Sequence, residues 1–160
     1  MSIQVRVDDL SSSAVQALVA DHLAGMHGHS PPGQVNALAI EGLRVPEITF
    51  WSAWKGGSLC GCGALKELSP IAGEIKSMRT QAGFLRQGVG QAVLTEIVRT
   101  AVRRGYQQLY LETGTGQAFD AAHALYLRNG FDWCSAFGDY QATAFNVFMS
   151  CSLHQLRNTV

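Results

Sequence analysis

The sequence predicts an α+β fold, a mixed and mainly antiparallel central sheet with helices on both faces, in a single domain over residues 1–160. Three observations carry this prediction. Residues 47–80 hold three β-branched, aromatic, alternating runs separated by short glycine- and proline-bearing turns, the pattern of an antiparallel meander. Residues 88–104 then switch to helical spacing, and a further strand-like run and a further helical run follow. Finally, 160 residues of which 47% are apolar and 15% charged suit one domain with one core.

Taken in order, Ile3-Gln4-Val5-Arg6-Val7 alternates as a first strand. Ala14, Val15, Leu18, Val19, His22 and Leu23 then recur at helical spacing behind the Ser11-Ser12-Ser13 start signal, giving a helix to about Met26. The run Gly28-His29-Ser30-Pro31-Pro32-Gly33 must break it, and Val35 to Leu43 reads as a short second helix. Strands follow at Glu47–Trp54, Leu59–Leu65 and Gly73–Thr80, with Lys55-Gly56-Gly57 and Ser69-Pro70 as turns. From Gly88 to Arg104 an apolar stripe of Val89, Val93, Leu94, Ile97, Val98 and Ala101 opposes Gln91, Thr95, Arg99 and Arg103, and Gly105 ends the helix. Leu109–Thr113 is a strand, Ala118 to Tyr126 a helix closed by Gly130, and strands near Phe131–Cys134 and Ala144–Ser152 complete the domain.

Composition excludes several functions. Twelve Lys/Arg balance twelve Asp/Glu, so no global field exists to hold a polyanion or an anionic membrane, and neither nucleic acid nor membrane is expected as a partner. No apolar run approaches the roughly 20 residues that span a bilayer, and Met1–Arg6 lacks a leader pattern, so a cytoplasmic location is expected. Cys60, Cys62, Cys134 and Cys151 are too few for a disulfide framework and are expected reduced. His22, His27 and His29 miss His-Glu-x-x-His spacing, and Cys60-x-Cys62 lacks a second pair, so no metal is expected. The charge is uneven: half of the basic residues lie between Glu74 and Arg104, at Lys76, Arg79, Arg86, Arg99, Arg103 and Arg104.

That basic stretch contains the most informative motif, strand 73–80, a loop, and Gly88-Val89-Gly90 opening a helix. A helix N-terminus offers orphan N–H groups and partial positive charge, and glycines let an anion approach the backbone. No Ser, Thr, Asp or Asn stands in Leu85–Val89 to cap these donors. A dinucleotide fingerprint would need glycine at Val93, and a P-loop would need Gly-Lys-Ser/Thr where Gly90-Gln91-Ala92 stands, so both fail. An anion site and a merely tight entry to a helix remain.

Around this loop the chain resembles the GNAT superfamily of N-acetyltransferases. Glu74-Ile75-Lys76-Ser77-Met78-Arg79-Thr80 resembles that family's fourth strand, and Arg86-Gln87-Gly88-Val89-Gly90-Gln91 its pyrophosphate loop. Ala122-x-x-Leu125-Tyr126-x-x-x-Gly130-Phe131 resembles its next motif. Further runs, His29-Ser30-Pro31-Pro32, Phe50-Trp51-x-x-Trp54, Gly61-Cys62-Gly63-Ala64-Leu65-Lys66, Leu111-Glu112-Thr113-Gly114 and Gly138-Asp139-Tyr140, resemble a bacterial subgroup of acetyltransferases. The one departure is Leu85, where the family prefers Arg or Gln; Arg86 stands one place later.

The resemblance implies a GNAT-like sheet, acetyl-CoA as donor and co-substrate, and direct transfer to the amine of a small molecule. Alternatives are a protein lysine or N-terminal acetyltransferase, and a non-catalytic acyl-CoA-binding module. It assigns cofactor binding to Met78, Arg79, Thr80, Arg86, Gln87, Gly88, Val89, Gly90 and Gln91, with an oxyanion donor among the backbone N–H groups near Met78. Tyr126 takes the sulfur-side position. A phenol of pKa about 10 is a weaker acid than a thiol of about 8.5, so hydrogen-bond donation suits it better than full proton transfer. Glu74 is the candidate base or water anchor, with Glu112 on the next strand as the other carboxylate. Ser30, Trp54, Asp139 and Tyr140 are the acceptor-side candidates, and the apolar terminal run Ala144–Met149 with the resemblance suggests a homodimer.

Overall fold

The computed structural model describes residues 2–26 and 40–153, with the backbone alone at 21–26. The elements are β1 (Gln4–Val7), α1 (Ser13–Met26), β2 (Ile48–Lys55), β3 (Ser58–Ser69), β4 (Ala72–Thr80), α2 (Val89–Arg103), β5 (Gln108–Gly114), α3 (Asp120–Arg128), β6 (Asp132–Cys134) and β7 (Asn146–Ser152). Of the helix expected at 35–43, residues 40–43 are helical. Residues 35–39, the break at 28–33 and Ser30 lie outside the described residues.

The strands form one seven-stranded sheet in the order β1-β2-β3-β4-β5-β7-β6. The pairs β1–β2, β2–β3, β5–β7 and β6–β7 are antiparallel and β4–β5 is parallel, so the sheet is mixed and mainly antiparallel as expected. The parallel pair needs a crossover, which α2 supplies. No helix among the described residues is long and apolar enough to cross a membrane.

By its internal contacts the chain forms two compact units, Met1–Lys66 with Ser77–Val98, and Glu67–Lys76 with Arg99–Val160. In the first, Ser12 caps α1: its Oγ accepts the Val15 N–H at 3.2 Å and its carbonyl the Gln16 N–H at 3.1 Å. Val15 and Leu18 of α1 pack on one sheet face with Phe50, Cys62 and Ala64. The opposite face of β3 presents Gly61 and Gly63, and α2 lies against them. A Cβ on Gly61 would stand 2.5 Å from Val89 Cγ1 and 2.8 Å from the Arg79 carbonyl oxygen; one on Gly63 would stand 2.6 Å from Val93 Cγ1. Period-two alternation therefore gives β3 a core face and a bare face, and helices cover both.

In the second unit, two helix ends close in the same way. Gly105 and Gly130 have φ of 84° and 90°. Tyr106 N–H donates to the Ala101 carbonyl at 3.0 Å and Phe131 N–H to the Tyr126 carbonyl at 3.1 Å, the six-to-one bond of a Schellman motif. Two boundaries differ from expectation. Residues Gln117–Phe119 form a 3-10 turn behind Gly116, at φ 97°, so α3 starts at Asp120. Strand β7 starts at Asn146 because the Asn146 Oδ1 accepts the Thr143 N–H at 2.7 Å and its hydroxyl at 3.0 Å, a local alternative to the ladder.

The bare face of β3 makes a stability prediction. Gly61→Ala forces a methyl onto the Arg79 backbone and is expected to cost about 1–3 kcal/mol in urea unfolding. Gly83→Ala, where a Cβ meets nothing within 4 Å, is expected to stay within about 0.5 kcal/mol.

Candidate active site

The glycine loop belongs to the first unit. It is pinned at its start, where the Gln81 N–H donates to the Cys60 carbonyl at 2.8 Å, and it ends where the Gly88 carbonyl accepts the Ala92 N–H at 3.0 Å, the first bond of α2. Arg86 and Gly88 both adopt left-handed φ, 62° and 84°. Gly88 thus stands at the N-cap with no side chain to occupy the first-turn donors, and a Cβ there would meet nothing within 4 Å. The backbone is open to close approach by a phosphate, which fits a coenzyme A pyrophosphate.

The predicted loop residues divide by exposure. Arg86, Gln87 and Gly88 are exposed, Gly90 and Gln91 half-buried, and Val89 is buried under Gly61. Val89 therefore holds the helix start in place while its neighbours face solvent. On β4, Arg79 is exposed and Thr80 half-buried, and Met78 lies against Gly63, with Sδ 2.6 Å from where a Cβ would stand. Ser77 has φ of 57°, rare for a residue with a side chain. The Ser77 carbonyl accepts from the Cys62 thiol at 3.3 Å, within a strand that runs on from Ala72 to Thr80.

Glu74, in the second unit, is buried at 3% exposure. The Tyr140 hydroxyl donates to its Oε2 at 2.6 Å, and the Lys76 Nζ, two residues along the same strand face, lies 3.4 Å from Oε2 and 3.2 Å from the Tyr140 hydroxyl. Both donors reach Oε2. Among the described residues no donor is found on Oε1. Burial and the carboxylate that accepts its proton push the Tyr140 phenol well above its ordinary range, with Glu112 adding to the effect.

Turn chemistry holds Tyr140. Gly138, at φ 57°, permits the turn in which the Tyr140 N–H donates to the Phe137 carbonyl at 3.1 Å. The Tyr140 ring then packs 5.1 Å from Phe137 and 5.8 Å from Phe148. Asp139 is exposed on that turn. Glu112 is engaged elsewhere: Asn146 Nδ2 donates to its Oε2 at 2.8 Å.

Tyr126, also in the second unit, is 5% exposed. Its ring packs 5.7 Å from Phe131, the contact between the ends of the Schellman motif, so the helix cap orients it. Its hydroxyl makes no hydrogen bond among the described residues, and burial pushes its phenol well above the ordinary range. Trp54 belongs to the first unit, where its Nε1 donates to Ser52 Oγ at 2.7 Å and the Arg6 guanidinium sits 4.5 Å from its ring centre. Among the described residues no three His, Cys, Asp or Glu side chains gather as a metal site.

Sequence reasoning missed the Tyr140–Glu74 bond, the left-handed Ser77 and a bond from Lys55 to Gln87 in the loop. Lys55 could have been found as the basic residue ending a strand at a Gly-Gly turn. Neither of the others has a local signal.

The model of the acetyltransferase (GNAT) family matches residues 15–131. The chain is 50% identical over 151 residues to the uncharacterized N-acetyltransferase YsnE of Bacillus subtilis (strain 168), covering 94% of this chain and 100% of that relative. It is 47% identical over 149 residues to the uncharacterized N-acetyltransferase YedL of Escherichia coli (strain K12), covering 93% of this chain and 94% of that one. Among solved structures, the PaiA N-acetyltransferase of Thermoplasma acidophilum in complex with coenzyme A matches with a TM-score of 0.70 at 14% identity, over 95% of this chain and 99% of that one, a likeness of fold. With a family match across most of its length and relatives half identical from end to end, the chain belongs to the GNAT family and is an acetyl-CoA-dependent N-acetyltransferase.

Proposed function

We propose that the protein acetylates the primary amine of a small molecule by direct transfer, with the donor, the acceptor and the protein in one ternary complex. Acetyl-CoA, when bound, supplies a thioester whose acyl carbon bonds to the amine nitrogen while its C–S bond breaks and the electron pair leaves with sulfur. The observation that carries the amine reading is Glu74: a buried carboxylate with one oxygen held by Tyr140 and Lys76 and the other without a donor among the described residues. Such a group takes a proton from the acceptor ammonium, directly or through a water, and so frees the amine lone pair for attack. The Tyr140 ring beside it, packed on Phe137, suits a cationic acceptor.

The remaining roles follow from chemistry and position. Main-chain donors of Gly88 to Gln91 hold the pyrophosphate, with Arg86 and Gln87 beside them and Arg79 and Thr80 leading toward them. A backbone N–H near Met78, next to the left-handed Ser77, stabilises the oxyanion. Tyr126 donates a hydrogen bond to the departing sulfur. Its raised pKa makes complete proton transfer to a thiolate less favourable than for a free phenol, and its hydroxyl has no competing partner among the described residues. Asp139 and Tyr140 are proposed to face the acceptor.

A coenzyme A-release assay across a panel of small amines and lysine peptides tests the substrate class. Stimulation by a small primary amine is expected. Stimulation by peptides alone would make it a protein acetyltransferase, and stimulation by neither would make it a binding module.

Three variants test the roles. Gly88→Val places a branched residue at left-handed φ and is expected to abolish thermal stabilisation by coenzyme A, whereas Arg86→Ala only weakens it. Tyr126→Phe keeps the ring packing and is expected to retain coenzyme A affinity while lowering kcat by roughly ten- to a thousand-fold; unchanged turnover would make Tyr126 a packing residue. Glu74→Gln is expected to depress kcat/KM most near neutral pH, where the acceptor is an ammonium, with partial recovery at high pH as free amine accumulates. An equal defect at every pH would assign Glu74 to binding or folding.

A further inference from the structure

We propose that Lys55 is a phosphate-binding residue for coenzyme A, presented to the glycine loop from the β2–β3 hairpin. The inference rests on the reading that the coenzyme A phosphates lie on loop 86–91, and it adds a residue that lies outside the loop motif.

The hairpin aims this side chain. Gly56 and Gly57 both have left-handed φ, 59° and 84°, so the two strands are joined by the tight two-residue turn that only such residues permit, and Lys55 pairs with Ser58 across it. The register shifts between Ala53 and Trp54, leaving Cys60 of β3 as the extra residue, and the pairing then runs through Lys55 and Ser58 to the turn. Lys55 thus leaves the sheet at a fixed point.

That point is the loop. The Lys55 Nζ donates to Gln87 Oε1 at 3.0 Å, and the Gln87 Nε2 donates to the Gly83 carbonyl at 3.3 Å. Gln87 is thereby a bridge: one end of its amide holds the loop backbone, the other holds the ammonium one residue before Gly88. The loop is independently tied to β3 next to the hairpin, through the Gln81 N–H and the Cys60 carbonyl at 2.8 Å.

The charge of Lys55 is not spent. Among the described residues the ion pairs are Arg44–Glu41 and Lys76–Glu74; Lys55 has a neutral amide as its partner. An ammonium carries three donors. A phosphate oxygen makes a stronger, charge-assisted bond with it than an amide oxygen does, so a phosphate arriving at the Gly88 backbone would draw the ammonium without displacing the loop. Arg86, exposed at left-handed φ, gives the same loop a second cation.

Calorimetric titration of the protein with coenzyme A and with 3′-dephospho-coenzyme A tests this, using Lys55→Met, Lys55→Arg and, as a control on the loop, Gly88→Val. Lys55→Met is expected to weaken coenzyme A binding by about five- to twenty-fold, to flatten the dependence of Kd on salt, and to leave the Tm of the free protein unchanged. Lys55→Arg is expected to restore affinity to within about threefold. Equal loss for both ligands would assign the contact to the pyrophosphate, and loss confined to coenzyme A would assign it to the 3′-phosphate; either supports the proposal. Full affinity in Lys55→Met beside lost affinity in Gly88→Val would overturn the role of Lys55 and leave the loop reading intact. Full affinity in both would overturn the loop reading and the role of Lys55 with it.

Discussion

The close approach of α2 to β3 is the constraint on which the first unit depends. Two alternate glycines, Gly61 and Gly63, remove the side chains that would otherwise hold the helix off, and Val89 and Val93 fill the space. Dense packing of this kind leaves little freedom in where the helix starts. Because Val89 is the first residue of α2, its burial fixes the residue before it, and Gly88 meets solvent with its backbone bare. A feature of packing, two missing methyl groups on a strand, thus decides where a set of main-chain donors points.

The second unit holds Tyr126 and Tyr140 by turns. Tyr126 is held by the cap of its own helix, through Gly130 and the ring of Phe131, so its orientation is bought by three consecutive local interactions. Tyr140 is held by the Gly138 turn and then by Phe137 and Phe148. What makes Glu74 unusual is the sharing of one carboxylate oxygen by two donors. A buried carboxylate needs partners. Here they come as a hydroxyl and an ammonium on the same oxygen. Of the two raised phenols, Tyr140 spends its proton on that carboxylate, whereas Tyr126 keeps its own uncommitted among the described residues. Burial acts on both, and hydrogen bonding tells them apart.

Much of the architecture was readable from local chemistry. Ser12 as a helix cap, Gly56-Gly57 as a hairpin turn, and Gly105 and Gly130 as helix stops each act within a few residues, so composition at those positions suffices. The strand and helix periods likewise belong to single segments. The boundaries that moved, at Asp120 and Asn146, did so because a 3-10 turn and an asparagine side chain competed locally with the regular element. The resemblance in the loop and around Tyr126 added the family, which the glycines alone left open between an anion site and a tight helix entry.

The sequence by itself therefore determined the order and type of the elements, the caps and turns that end them, and the glycine entry to a helix at Gly88. Only the tertiary structure decided which side chains meet. Tyr140 and Glu74 are 66 residues apart, and Lys55 and Gln87 are 32 apart; no local period encodes either pairing. Each depends on strand register, where a shift of one residue turns every side chain to the other face, and on backbone conformations such as the left-handed Ser77. That conformation carries no glycine to announce it, because a serine takes it only where the surrounding packing and the Cys62 thiol hold it there.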